Sequence, residues 1–238
     1  MTAADALPEP PWWTPRKPAA PRRSLSRSAI VGAGLKVLRA EGIDALSMRR
    51  VATELGTGAA SLYAHVAHKD ELLELLFDEV VAEIPLPEPD PSRWQEQLTQ
   101  VWTDSHAALA RNGDIARVAL GRVPLGPHAL RVSEVTMAIL RAGGVPDQAV
   151  AWAVDVVGLY VAANAVEGAL HVDRQRAGRE PGDYYEQVGR YFSALPVDRF
   201  PVMSALAPEL MAGSGEERFA FGLDLIVRGL AAQAAQPG

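Results

Sequence analysis

Apolar residues recur three or four positions apart along this chain, and no stretch shows the alternating period of a strand. That spacing predicts an all-α protein. Ile30, Val31, Leu35 and Leu38 mark an amphipathic helix over 25–40, with Ser24 or Ser26 as its N-cap and Glu41-Gly42 as its stop. Val51 and Leu55 share one face of a second helix, and Leu62 and Val66 one face of a third. A fourth, ELLELLFDEVVAEI, runs to Pro85. Beyond the proline-rich connector LPEPDPSRW, further helices broken by Gly and Pro are expected at 91–111, 114–121, 127–142, 147–176, 182–194, 202–212 and 216–235. Internal repeats are absent.

The stretch from Ser47 to Lys69, SMRRVATELGTGAASLYAHVAHK, carries the most information about a partner. Ala52 falls where the second and third helices would cross, and Gly56 follows Leu55 at a stop that favours a left-handed residue. The turn Gly56-Thr57-Gly58 then opens a helix on Gly58, Ala59, Ala60 and Ser61, with little bulk in its first turn. A slim helix start suits a major groove about 12 Å wide. Ser47, Met48, Arg49 and Arg50 on one side, and Tyr63, His65 and Lys69 on the other, complete a candidate DNA footprint with charge at both edges. Two short helices around a glycine are also ordinary packing in any helical protein.

At these residues the chain resembles a known family. The segment LSRSAIVGAGLKVLRAEGIDALSMRRVATELGTGAASLYAHVAHKDELL is similar to the N-terminal domain of tetracycline-repressor (TetR) regulators, and FAFGLDLIVRGLAAQ, from Phe219, to their last helix. The resemblance implies a homodimeric repressor that binds palindromic operator DNA and is released by a small organic molecule. It also implies a ligand pocket in the body, for which this chain offers Trp102, His106, Leu120, Trp152, Tyr160, Asn164 and Glu167. Aromatic walls with a few polar groups suit an organic ligand, although each of these residues is also ordinary core or interface material. ARVALGRVP resembles the segment where true tetracycline repressors carry a metal-ligating histidine, and that position here is Ala119. Glu167 and His171 match later positions, but without the histidine the expected inducer is not a magnesium–tetracycline chelate, and no metal or cofactor is expected.

Charge divides the chain in the sense this reading needs. Residues 1–69 hold ten basic against five acidic side chains, a balance of +5, which leaves −11 on the remainder of a chain whose total is −6. A basic head on an acidic body directs DNA to one end. MTAADALPEPPWWTPRKPAAPRR is proline-rich and without period, so residues 1–22 read as a disordered tail, 23–69 as the helix-turn-helix domain and 70–238 as a helical ligand-binding and dimerisation domain. Arg16, Lys17, Arg22 and Arg23 in that tail would attract phosphates, and Trp12-Trp13 would dock on the body or a partner if they act at all.

The helix over 147–176 is rich in Ala and Gly and apolar nearly all round, so it needs cover on both sides. Paired across a two-fold axis with the closing helix, whose stripe is Phe219, Leu223, Ile226, Val227 and Leu230, it would form a four-helix bundle. With 238 residues and no cysteine, disulfides and thiol chemistry are excluded, which fits a cytoplasmic protein. The longest apolar stretch, Ala149 to Ala165, falls short of the ~20 residues of a membrane helix. His65, His68, His106, His128 and His171 have no metal or catalytic spacing, and no nucleotide-binding glycine loop or nucleophile elbow is present, so no enzyme is expected. The alternative to a regulator is a helical protein-interaction adaptor that does not bind DNA.

Overall fold

The computed structural model describes residues 25–121, 123–176 and 181–235, without side chains at 171–176 and 181–183. The tail residues Trp12, Trp13, Arg16, Lys17, Arg22 and Arg23, and the His171 side chain, therefore lie outside the described residues.

Every regular element among the described residues is helical. Helix α1, Arg27–Glu41, starts where the Ser26 hydroxyl accepts from Ala29 N at 3.2 Å, which settles the N-cap in favour of Ser26. Helix α2, Met48–Glu54, is capped in the same way by Ser47, and α3, Ala59–Leu62, follows the glycine turn. Helix α4, Lys69–Val81, ends three residues before the expected Ile84, in a tight turn over 82–84. Ile30, Leu38, Leu46, Val51, Leu62, Leu72 and Leu76 are each almost wholly buried and join α1–α4 in one apolar cluster.

Helix α5, Trp94–Ala110, begins later than its periodicity predicts. The Asp90 carboxylate takes Ser92 N at 2.9 Å and the Ser92 hydroxyl at 2.7 Å, holding 90–93 in a turn instead. A 3₁₀ turn, Gly113–Ile115, leads into α6, Ala116–Gly121, and then α7, Pro127–Ala142, and α8, Asp147–Arg176. Helix α9 is Pro181–Ser193. The helix expected over 202–212 is two: α10, Pro201–Ala205, and α11, Ala207–Met211. Pro208 is the physical reason, because it has no N–H for the Ser204 carbonyl and its ring crowds that oxygen. Helix α12, Gly215–Ala234, opens on a capping box between Ser214 and Glu217.

The body is built around α8, which packs against α5, α6, α7 and α12. Val150, Ala153, Val157, Val161, Ala162 and Ala165 form its covered face. One expectation is corrected here. The continuous apolar helix Asp147–Leu170 has 24 residues, so by length and composition it is sufficient to cross a membrane. Asp155 interrupts the run in sequence without ending the helix. Its packing against four helices of the same chain gives it the place of a central core helix.

Candidate nucleic-acid interface and effector region

Two glycines shape the turn between α2 and α3. Gly56 has φ of 65°, and its N–H bonds to Thr53 O while Thr57 N reaches Ala52 O, which closes the end of α2. Gly58, with φ of −83°, is the N-cap of α3 and has open space where a Cβ would stand. Ala52 is buried at the crossing and Leu62 on the inner face of α3, so the opposite side of α3 is left outward. There Gly58, Ala60, Ser61 and Tyr63 are exposed, Tyr63 to 52%. Thr57 donates its hydroxyl to Ser61 Oγ at 3.3 Å, so the turn adds a second hydroxyl to this face.

The loop after α3 is pinned from both sides. Arg27 donates from Nε and Nη2 to His65 O, each at 3.3 Å, and from Nη2 to Glu71 Oε1 at 3.0 Å. Glu71 takes Ala67 N on its other oxygen at 2.6 Å, while its own N–H donates to His68 Nδ1 at 3.0 Å. His68 thus caps the start of α4 in the role usually held by Ser or Thr, while the Glu71 carboxylate holds the N–H of Ala67, one residue before the cap. Neither Arg27 nor Glu71 belongs to the expected footprint, and His68 acts here as a cap. The Glu three residues after the cap was a usable signal, but histidine is not among the residues that announce a cap.

Four of the expected contact residues sit differently from the expectation. Met48 is 7% exposed because its side chain joins the apolar cluster of the head, so it offers nothing to a partner. Arg50 is half-buried and held by two carboxylates, Glu41 and Glu54. The Arg50 bond holds Glu41 below the usual carboxylate range, and Lys36 followed by Arg50 does the same to Glu54. Ser47 uses its hydroxyl as a cap for Arg50 N, and half-buried Ala59 packs against the core. Arg49 is exposed and His65 half-buried. Lys69 donates to Ile43 O at 3.4 Å and lines an open cleft of about 300 Å³ with Asp44, Leu73, Arg117 and Val118.

The seven candidate effector residues are not gathered in one place. Trp102 is buried in α5, and the His106 ring stacks on Phe219 of α12 with centroids 4.2 Å apart. Tyr160 stacks on the same ring at 5.5 Å and donates its hydroxyl to Phe219 O at 2.9 Å, while Asn164 donates to Tyr160 O at 2.8 Å. Phe219, absent from the expected set, is therefore what joins His106 and Tyr160. Burial lowers the His106 imidazole below its ordinary 6.5, opposed by Glu216, and burial raises the Tyr160 phenol, opposed by Asn164. Trp152 is 66% exposed, and Glu167 is exposed too. Leu120 is exposed at the end of α6, beside Val123 and Leu125.

Residues 30–76 match the N-terminal domain of bacterial regulatory proteins of the tetR family, and residues 86–234 match the tetracyclin repressor-like C-terminal domain. The chain belongs to the TetR family. It is a DNA-binding transcriptional regulator of the helix-turn-helix class. A TetR-family relative, the HTH-type transcriptional repressor DrrR1 of Streptomyces coeruleorubidus, is 33% identical over 94% of this chain and 84% of its own. ActR of Streptomyces coelicolor, solved without ligand, is 41% identical, with a TM-score of 0.81 over 88% of this chain and 96% of its own. The structure of ActR with actinorhodin gives a TM-score of 0.83 at 41% identity, over 90% and 99% of the two chains. Ala119 packs half-buried against the core, and its methyl side chain has no atom that could ligate a metal.

Proposed function

We propose that this TetR-family chain is a repressor that binds a palindromic operator as a homodimer and leaves it when a planar aromatic organic molecule binds the body. The single observation that carries the DNA reading is the exposed face of α3, Gly58, Ala60, Ser61 and Tyr63, presented by a buried crossing at Ala52 and Leu62. Arg49 of α2 is exposed as well, and phosphate contact by it would be charge-assisted and salt-dependent. In this reading the head is 23–69 and the body 70–238, with α4 touching both.

Two uncovered apolar faces support the homodimer. On α8, Trp152, Val156, Leu159 and Leu170 are exposed, and on α12 so are Phe221 and Leu225. Spacings of four, three and eleven residues on α8 and four on α12 put each set on one side of its helix, as a bundle seam requires. Two copies meeting there would carry two α3 helices into half-sites of one operator.

The effector class rests on ActR, solved with actinorhodin at 41% identity, and on the aromatic stack of His106, Phe219 and Tyr160. Ala119 removes the metal ligand a tetracycline chelate would need, and the exposed apolar segment Leu120, Val123 and Leu125 offers a surface that a flat apolar ligand would cover. Ligand and operator binding oppose each other, with α4 carrying the motion between body and head.

Fluorescence anisotropy with duplex DNA from beside the chain's own gene tests this. A complex that weakens steeply with salt, and weakens further on adding actinorhodin, supports it. Absence of a complex at low salt favours the adaptor, and a complex indifferent to actinorhodin removes the aromatic effector class.

A further inference from the structure

Asp78 is a charged residue buried to 7% exposure within α4, and its carboxylate serves another helix. Oδ1 accepts from His128 N and from Ala129 N, each at 3.0 Å. These are the free amides at the start of α7, whose own N-cap is Gly126 and has no side chain to satisfy them. A Cβ at Gly126 would collide with the Asp78 carboxylate, so glycine there is what lets α4 approach. Asp78 is thus an N-cap supplied from a different helix.

The other end of α4 is fixed to the head. Glu71, seven residues before Asp78 and so on the same face about 10 Å away, holds Ala67 N and Arg27. Between the two carboxylates, Leu72 and Leu76 press on Gly34 of α1, where a Cβ would stand 2.9 Å from Leu76 Cδ2. The head and α4 therefore move as one piece.

Head and body also meet at a second place. Ile43 N donates to Asp114 Oδ2 at 3.3 Å, Arg39 donates to Asn112 Oδ1 at 2.7 Å, and Arg117 lies 3.5 Å from Asp44. The Arg117–Asp44 pair and the Asp78 cap differ in what it costs to open them. Asp44 is 89% exposed and Arg117 49%, so water and ions replace that pair readily, whereas withdrawing Asp78 leaves a buried charge and two helix-end amides without partners.

We propose that Asp78, capping α7 from α4, is the fulcrum about which the head turns on the body, and so a positioning residue for operator release. This rests on the opposed binding of ligand and operator proposed above. The exposed Arg117–Asp44 pair gives way, while the Asp78 cap holds and converts a shift of the body into rotation of α4.

Three variants separate this from a merely structural role. Asp78→Asn keeps an acceptor oxygen, Asp78→Leu removes it at similar volume, and Gly126→Ala displaces the carboxylate without altering it. Because the chain has no cysteine, spin labels at Thr53→Cys in the head and Gln148→Cys in the body report one intrachain distance, with labelled protomers diluted by unlabelled ones. Wild type and Asp78→Asn should give one narrow distance, and Asp78→Leu or Gly126→Ala a broad one at unchanged helix content. In parallel, a wild-type shift in operator Kd with actinorhodin of roughly tenfold or more should fall to about twofold in Asp78→Leu. Narrow distances in folded Asp78→Leu or Gly126→Ala overturn the fulcrum. If actinorhodin leaves wild-type operator binding unchanged, the effector reading fails while the distance measurement still decides the role of Asp78.

Discussion

The Arg50 guanidinium donates from Nη1 and Nη2 to Glu54 Oε2, each at 3.1 Å, one turn further along α2. Glu41 at the end of α1 takes the same guanidinium at 2.6–3.1 Å, and Lys36 reaches Glu54 at 2.5 Å, so one charged cluster ties α1 to α2. Arg49 is exposed and pairs with no described carboxylate. Adjacent arginines therefore have different roles. Arg49→Ala should weaken operator binding roughly tenfold and reduce the salt slope by about one, while Arg50→Ala should lower the melting temperature with a smaller loss of affinity. Anisotropy titrations at several salt concentrations beside a thermal melt make the comparison. Equal losses of affinity would contradict it.

Acid should act on the head and body in separate windows. Glu41 and Glu54 have folded pKa values below their unfolded 4.5, so their stabilisation is complete above that value and is lost as pH falls through the folded one. His106 is lowered from 6.5, so the unfolded chain takes up its proton first and stability declines as pH falls below about 6.5. Urea midpoints at pH 7.5 and 5.5 should converge in His106→Phe, which keeps a ring against Phe219. A variant as pH-sensitive as wild type over that interval would remove His106 from the account.

The two glycines of the turn should respond differently to alanine. Gly56 has φ of 65° with open space around it, so Gly56→Ala costs about 1 kcal/mol through backbone strain alone. Gly58 is extended, with φ of −83°, and Gly58→Ala should keep the wild-type melting temperature. Any loss of operator affinity in Gly58→Ala would then report close approach of the backbone to DNA. Differential scanning calorimetry with anisotropy separates the two effects.

Tyr160 and Gly222 are coupled by contact. A Cβ at Gly222 would run into the Tyr160 hydroxyl, which donates to Phe219 O. Tyr160→Phe should cost about 1 kcal/mol for the lost hydrogen bond, and Gly222→Ala should cost less in that background than alone. Additive losses in chemical denaturation would show that the ring moves freely.

Association should depend on the uncovered faces of α8 and α12. Phe221→Glu combined with Leu225→Glu places charge on the α12 seam without entering the chain's own core, since both side chains are more than half exposed. Size-exclusion chromatography with light scattering should show a folded monomer, and operator affinity should fall with it. A double variant that remains dimeric would move the interface elsewhere.

Much of this chain was readable from its sequence, and for specific reasons. Periodic apolar residues place α1, α7, α8 and α12 to within two residues, because a helix of ten or more residues carries its pattern several times over. Ser26 and Gly56 act on backbone within a few residues of themselves, so their identity declares the cap or the turn. The break at Pro208 was equally local, and was passed over because the apolar pattern continues across it. Of the footprint residues on α3, Gly58, Ala60, Ser61 and Tyr63 are exposed.

What depended on distant parts of the chain was not legible. Arg49 and Arg50 are the same letter, and the fold turns back at Gly42 so that Glu41, at the end of α1, meets Arg50 beside Glu54 while Arg49 stays exposed. Phe219 joins His106 to Tyr160 across more than fifty residues, and Asp78 finds the start of α7 fifty residues further on. The sequence by itself determined where helices form and which faces are apolar, since those follow from spacing and backbone preference. Tertiary structure alone decided which charges pair and which amide ends a carboxylate serves, because hydrogen bonds and ion pairs act over a few ångströms that no separation along the chain encodes.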